Sequence, residues 1–537
     1  MTRFKLLAAV LFAATFTTMQ AQTNAVTVAR ADAPPNTGAD AKSTAATPAE
    51  PAAAAQDKKA DDEPAAIKYK GITFTPGGFL AGETVFRTRA LNSDTATPFS
   101  SIPYMNSGDA HITEFNADGR QSRLALLVTA PVDWGKIGGY FEVDFLGAGT
   151  TSNNNQSNSY VLRQRELWAQ LATTSGFTMQ GGQMWSLLTE VKKGIVEAPT
   201  AENLPSVIDP NYVVGFSYTR QYGLRFAESL AGGKANVALS LEGSQIVLAS
   251  TVNAPDNFVF GTAGSTSGQL NSTGNGSTAQ NYSSNVAPDI IVKATFDPGY
   301  GHYEIGGLVR FFRDRVYPQT VFSTTVAGNL PGSNYTTPGG GFFVNARAPI
   351  TKFADVGLHV LEGPGVGRYG ASNLGDVTVR PNGLLEPLRS VQGLFSLETH
   401  PFKKLDIFSY AGAEYLQRTY YLSNTGVQVG YAAPSGQNNT GCSTQAPPTG
   451  TGGVTPANGA NCTGATRYVA EASLGLTYRL FSSPSKGRLQ YQMVYSYVTR
   501  VGWNGFTAGS SFATGTAFGG PQATENMVYT GMRYYIP

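Results

Sequence analysis

Six arginines, Arg120, Arg123, Arg163, Arg165, Arg220 and Arg225, stand between positions 120 and 225 of the chain. A guanidinium keeps its charge at any physiological pH and grips carboxylate or phosphate through paired N–H groups, so a ladder of them along one wall would favour anionic solutes. Acidic residues occupy the same stretch: Glu142, Asp144, Glu166, Glu190, Glu197, Glu202 and Asp209. If the arginines pair with Glu142, Asp144, Glu166 or Asp209 they brace the wall instead, and the two roles are compatible. Catalysis would need a nucleophile, a base and an orienting group brought together. The four histidines, His111, His302, His359 and His400, belong to no zinc motif, and no nucleophile elbow surrounds a serine. The run Gly363-Pro364-Gly365-Val366-Gly367 has no helix pattern beside it and reads as a loop, not a nucleotide site. No enzyme activity and no metal, nucleotide or organic cofactor is expected.

The elements that must carry these residues are strands. From Gly77 onward the chain divides into segments of about ten residues with alternate positions apolar, the pattern of a strand with lipid on one face and water on the other. Between Arg488 and Arg500, Leu489, Tyr491, Met493, Tyr495 and Tyr497 share one face, opposite Arg488, Gln490, Gln492, Ser496 and Arg500. Between Tyr468 and Leu480, Ala470, Ala472, Leu474, Leu476 and Tyr478 oppose Glu471, Ser473, Thr477 and Arg479. A soluble sandwich also alternates. Connection lengths separate the two, because about sixteen strands can be laid out with joints strictly short then long, as tight periplasmic turns and long outer loops require. Their starts fall near Phe79, Arg120, Lys136, Tyr160, Phe177, Val213, Lys234, Asp289, His302, Gly341, Asp355, Arg389, Leu405, Arg467, Arg488 and Glu525. Long polar segments at 91–119, 187–212, 245–287, 314–340, 363–388, 419–466 and 501–524 separate the pairs. The fourth strand is ambiguous, since Leu162, Gln164, Glu166 and Trp168 alternate with Arg163, Arg165, Leu167 and Ala169, and a bulge there would exchange the faces.

The expected fold is thus an all-β transmembrane antiparallel barrel with long extracellular loops, spanning residues 71–537. Before it, Arg3 and Lys5 precede the apolar run Leu6–Phe16 and small residues near Ala21, a signal peptide over residues 1–21 and a protein exported to the outer membrane. That run is shorter than the roughly 20 residues of a spanning helix. Residues 22–70, dominated by Ala, Pro, Asp, Lys and Thr, read as a disordered periplasmic tether. Lys and Arg number 38 against 36 Asp and Glu, a balance that gives no reason to expect nucleic acid as a partner. Cys442 and Cys462, in one Gly-, Thr-, Pro- and Asn-rich segment of an exported chain, are most simply a disulfide closing a surface loop.

Three stretches, Arg120-Gln121-Ser122-Arg123-Leu124, Leu162-Arg163-Gln164-Arg165-Glu166-Leu167-Trp168 and Gly181-Gly182-Gln183-Met184-Trp185-Ser186-Leu187, together resemble the trimeric outer-membrane porins of the DcaP type. The resemblance is concentrated between about Gly77 and Ala227. The long N-terminal helical segment of that type is replaced here by the Ala- and Pro-rich tether. The resemblance implies a homotrimer and a loop after the fifth strand, here 187–212, folded into the lumen as a constriction opposite Arg120, Arg123, Arg163 and Arg165. The function expected is passive diffusion of small hydrophilic solutes, with anions such as carboxylates favoured. Pore-lining positions are the six arginines with Glu142, Asp144, Glu190, Glu197 and Asp209. Outer-membrane lipid and lipopolysaccharide are partners by compartment. Two alternatives stand beside this. A sugar-selective channel would need a continuous inward line of aromatics, which the register does not produce. A surface adhesin would use the long loops at 261–286 and 437–465.

Overall fold

A computed structural model describes residues 66–147, 160–261, 283, 285–318, 331–445, 462–506 and 517–537. The expected signal peptide and most of the expected tether fall outside the described residues, as does much of the two loop segments at 261–286 and 437–465.

Sixteen antiparallel strands form one closed sheet. In chain order they are β1 (Ile72–Arg87), β2 (Arg123–Val132), β3 (Gly135–Gly147), β4 (Val161–Thr173), β5 (Phe177–Trp185), β6 (Arg220–Leu230), β7 (Ala235–Glu242) and β8 (Asp289–Phe296). Then follow β9 (His302–Val316), β10 (Ser333–Thr351), β11 (Ala354–Pro364), β12 (Arg389–Phe402), β13 (Leu405–Leu416), β14 (Thr466–Ser483), β15 (Gly487–Gly502) and β16 (Gln522–Tyr535). Each strand pairs with its sequence neighbours, and β16 closes on β1 from Phe79 opposite Tyr535 to Arg87 opposite Met527. Closure satisfies every sheet edge, which a sheet surrounded by hydrocarbon requires. An upstream piece, Glu114–Asp118, continues β2 along β1. Ile67–Tyr69, counted above as tether, pairs back onto Ile72–Phe74.

The two barrel ends differ as the connection lengths require. Val132 pairs with Gly135, Thr351 with Ala354 and Phe402 with Leu405, so these turns hold two residues each. At the other end lie the long loops. Outward positions are apolar and exposed in the isolated chain, among them Phe141, Phe395, Tyr478, Tyr491 and Tyr497, while the intervening residues are buried on the inside. That is the division between lipid and lumen that the alternation requires.

Three starts differ from the sequence expectation, the first being β1, which begins at Ile72 and not near Phe79. Strand β10 begins at Ser333, not near Gly341. Strand β6 begins at Arg220, not near Val213. Val213, Val214, Phe216 and Tyr218 are buried together with Trp185 and Tyr212 inside the barrel. Their alternation mimics a strand, but the residues pack against the wall instead of joining it. Several long segments expected as polar loops also carry cores of their own, such as Ile246, Phe260, Val377, Val379 and Leu385.

Candidate functional site: the lumen and its inward loop

After Trp185 the chain leaves the wall and crosses the barrel interior as residues 186–219, returning at Arg220. This segment is longer than the 187–212 expected. Carboxylates on four strands accept its backbone N–H groups: Glu242 from Leu187 at 2.8 Å, Glu304 from Val191 at 2.9 Å, Glu471 from Val214 at 2.9 Å and Glu414 from Gly215 at 2.8 Å. On the opposite arc, Gln121 donates to the Ile208 carbonyl and Tyr529 to Asp209, each at 2.8 Å. An irregular backbone inside a barrel needs such partners for its polar groups. Inward carboxylates on β7, β9, β13 and β14 thus anchor the loop to much of the wall.

Close approach is possible because the wall is bare at one place. A Cβ on Gly412 would overlap the Val214 carbonyl, and one on Gly215, whose φ is +91°, would overlap the Gly393 carbonyl. Glycine is the one residue that accommodates both the left-handed backbone and the contact.

A second loop enters the lumen, and sequence reasoning missed it. Residues 365–388 make a single helical turn at Gly367–Tyr369. Tyr218 N donates to Tyr369 O at 2.7 Å and Ala371 N to Phe216 O at 3.1 Å. Tyr369 is fully buried and donates to Asp289 at 2.7 Å. The available signal was the apolar content of Val366, Tyr369, Leu374 and Val377 within a segment read above as a long polar loop.

Of the sequence-selected residues, Arg123, Arg163, Arg165, Glu142 and Asp144 come together as ion pairs. Strand β4 bulges at Arg165: Glu142 pairs with Glu166 and Val143 with Gln164, leaving Arg165 as the extra residue. The bulge brings Arg163 and Arg165 before it, and Glu166 and Trp168 after it, to the same inner face, while Leu162 and Leu167 face out. Arg163 binds Asp144 through two N–H groups at 3.0 and 2.8 Å. Arg165 bridges Glu142 and Asp144, and Arg123 reaches Glu142 at 3.3 Å. Arg120 pairs with Asp94 and covers the Tyr160 ring, toward the long-loop end. Arg220 lies over Trp185. Arg225 holds the inward loop itself, bonding Glu197 at 3.0 Å and the Trp185 carbonyl at 2.6 Å.

The loop carboxyls are not a solvated face opposite this ladder. Glu190, Glu197, Glu202 and Asp209 are all buried. Burial, with the Glu304 charge added, pushes Glu190 up to about 7. Burial likewise pushes Glu202 up to about 7 and Asp209 up to about 6. Burial and the neighbouring Glu202 raise Glu197, an effect that the Arg225 guanidinium opposes. On the other side of the loop, a small recess of about 20 Å³ lies against β11–β13 and is lined by Glu190, Phe216, His359, Glu398 and Tyr410 among others. Both His359 ring nitrogens are engaged, Nε2 with Ser217 at 2.9 Å and Nδ1 with Asn345. Among the described residues no group of His, Cys, Asp or Glu is arranged to hold a metal ion. Cys442 and Cys462 form a disulfide at the long-loop end.

No family model matches the chain, and no curated protein matches it significantly. Solved structures do. The outer membrane channel DcaP of Acinetobacter baumannii superposes with a TM-score of 0.53 at 15% identity, covering 87% of this chain and 99% of that one. An anion-selective porin from Comamonas acidovorans gives 0.44 at 10% identity, with 86% and 99% covered. OmpF of Salmonella typhi, solved with daunomycin, gives 0.43 at 10% identity, with 88% and 99% covered. With sixteen strands closed on themselves and a loop folded across the interior, the chain has the fold of the outer-membrane porins, with DcaP among its structural neighbours.

Proposed function

We propose that this protein is an outer-membrane porin through which small hydrophilic solutes diffuse passively, anions such as carboxylates being favoured. One observation carries the preference. At the root of the inward loop, the guanidiniums of Arg123, Arg163, Arg165 and Arg220 act on the carboxyl groups of Glu142, Asp144 and Glu166. Most of the charge cancels locally, yet guanidiniums remain in excess there, and Arg163 keeps part of its surface in water. In a narrow, low-dielectric passage a small fixed excess is enough to bias which ion enters. The arginines on this reading both brace the wall and set its field. A homotrimer in the outer membrane, in contact with lipopolysaccharide, is the assembly that goes with this fold.

Single-channel recording in a planar bilayer under a salt gradient tests the proposal. The expected result is discrete openings whose reversal potential lies on the anion side, moving toward the cation side in Arg163→Glu. Absence of openings from heat-modifiable, correctly folded protein refutes the pore. Openings with an unbiased reversal potential refute the anion preference alone.

A further inference from the structure

The long-loop rim of β12–β15 carries a cluster that the pore does not use. Trp503, just past β15, lies between two guanidiniums, Arg418 at 4.9 Å and Arg467 at 4.8 Å from its ring centroid. Tyr415 meets the same indole edge-on, with centroids 5.9 Å apart. Tyr415 follows the inward Glu414 in β13 and so faces outward, while Trp503 also packs against the loop core of Leu416, Tyr431 and Ala465, which places the cluster at the long-loop rim of the wall. Arg389 stands nearby at the same end, paired with Glu362.

What distinguishes this cluster from the lumen arginines is the lack of a counter-charge. Arg418 bonds only the Asn504 carbonyl groups, and Arg467 has no carboxylate partner among the described residues. Among the described residues the Nε–H of each is buried and meets no acceptor. The loops that flank the cluster cannot supply one. From Tyr415 to Ala470, and again from Val501 to Thr524, the sequence contains no Asp or Glu. Burial and the Arg467 charge push the Arg418 guanidinium down to about 10, as expected for two like charges held together.

Two forked donors fixed over an indole, whose terminal N–H groups meet no carboxylate among the described residues, suit a doubly charged tetrahedral oxyanion. The location adds the source. In barrels of this kind the long loops are extracellular, and outward aromatics at that rim lie at headgroup level. We propose that Arg418 and Arg467, clamped on Trp503, form a binding site for the phosphate monoester of an outer-leaflet glycolipid headgroup.

The test uses the full-length folded barrel in detergent, titrated in native mass spectrometry with bisphosphorylated lipid A, with the same lipid after phosphatase treatment, and with inorganic phosphate. The expected result is about tenfold tighter binding of the phosphorylated lipid than of the dephosphorylated one, the scale of one lost charge-assisted contact. Arg418→Gln with Arg467→Gln should abolish that difference, while Arg467→Lys, which keeps the charge but not the fork, should retain part of it. Heat-modifiability on gels checks that each variant is folded. Equal binding of the two lipids, or a preference that survives the double substitution, overturns the site. Inorganic phosphate binding as tightly as the lipid overturns the lipid as its source. None of these outcomes depends on channel conductance.

Discussion

The Val214 carbonyl rests where a side chain on Gly412 would be, so the tip of the inward loop is seated directly on the backbone of β13. Gly412→Val should therefore unseat the loop without opening the barrel. Overpacking of this type costs about 1–3 kcal/mol, too little to unfold a closed sheet. The variant is expected to stay heat-modifiable and to show larger or noisier single-channel conductance than the parent. A conductance trace identical to the parent's would mean that the loop tip does not limit flow.

Arg225 and Glu197 form a buried ion pair between β6 and the inward loop. Removing one member of such a pair leaves the other buried without its partner, at a cost of about 3–5 kcal/mol. Arg225→Leu should lower the midpoint of urea unfolding clearly, and adding Glu197→Gln should restore part of the loss. Strict additivity of the two substitutions would show that the pair is not coupled.

Three loop carboxyls give a pH dependence whose sign can be stated. Glu190 and Glu202 sit at about 7 and Asp209 at about 6, all above their ordinary values because they are buried. A carboxyl raised by folding binds more protons in the folded than in the unfolded state. Its contribution is complete below about pH 4 and is lost as pH climbs through 6 to 7. Charging these groups also adds negative charge to the lumen over the same window. Anion preference should therefore fall between pH 5 and pH 8 in reversal-potential measurements. Combining Glu190→Gln with Asp209→Asn should flatten the change, and a preference that rises with pH would contradict the assignment.

The Cys442–Cys462 disulfide closes part of one long loop, and Cys462 packs against the hydrophobic cluster that contains Tyr104. Closing a loop of this length is worth about 3 kcal/mol locally. Reduction should speed proteinase K cleavage within 442–462 and leave the far-ultraviolet circular dichroism of the barrel and its conductance unchanged. Collapse of the barrel signal on reduction would show that the loop supports the whole fold.

The amino-acid sequence alone determined the barrel. Alternation in Arg488–Arg500 and Tyr468–Leu480 specified which face meets lipid, because a strand with period two has no other way to satisfy lipid and lumen at once. Short turns such as Asp133-Trp134 set the order of ends, and the alternating short and long joints set the count. The same residue types could not reveal what fills the lumen. Val213 to Tyr218 look like a strand because packing against a wall and belonging to it demand the same apolar content. The Arg163 and Arg165 face depended on one extra residue in β4, and a bulge leaves no mark in composition. The ion pairs of Arg123, Arg163 and Arg165 with Glu142 and Asp144 follow from register between strands. Only the tertiary structure decided that, since cross-strand neighbours are fixed by pairing over the whole sheet and not by any local stretch.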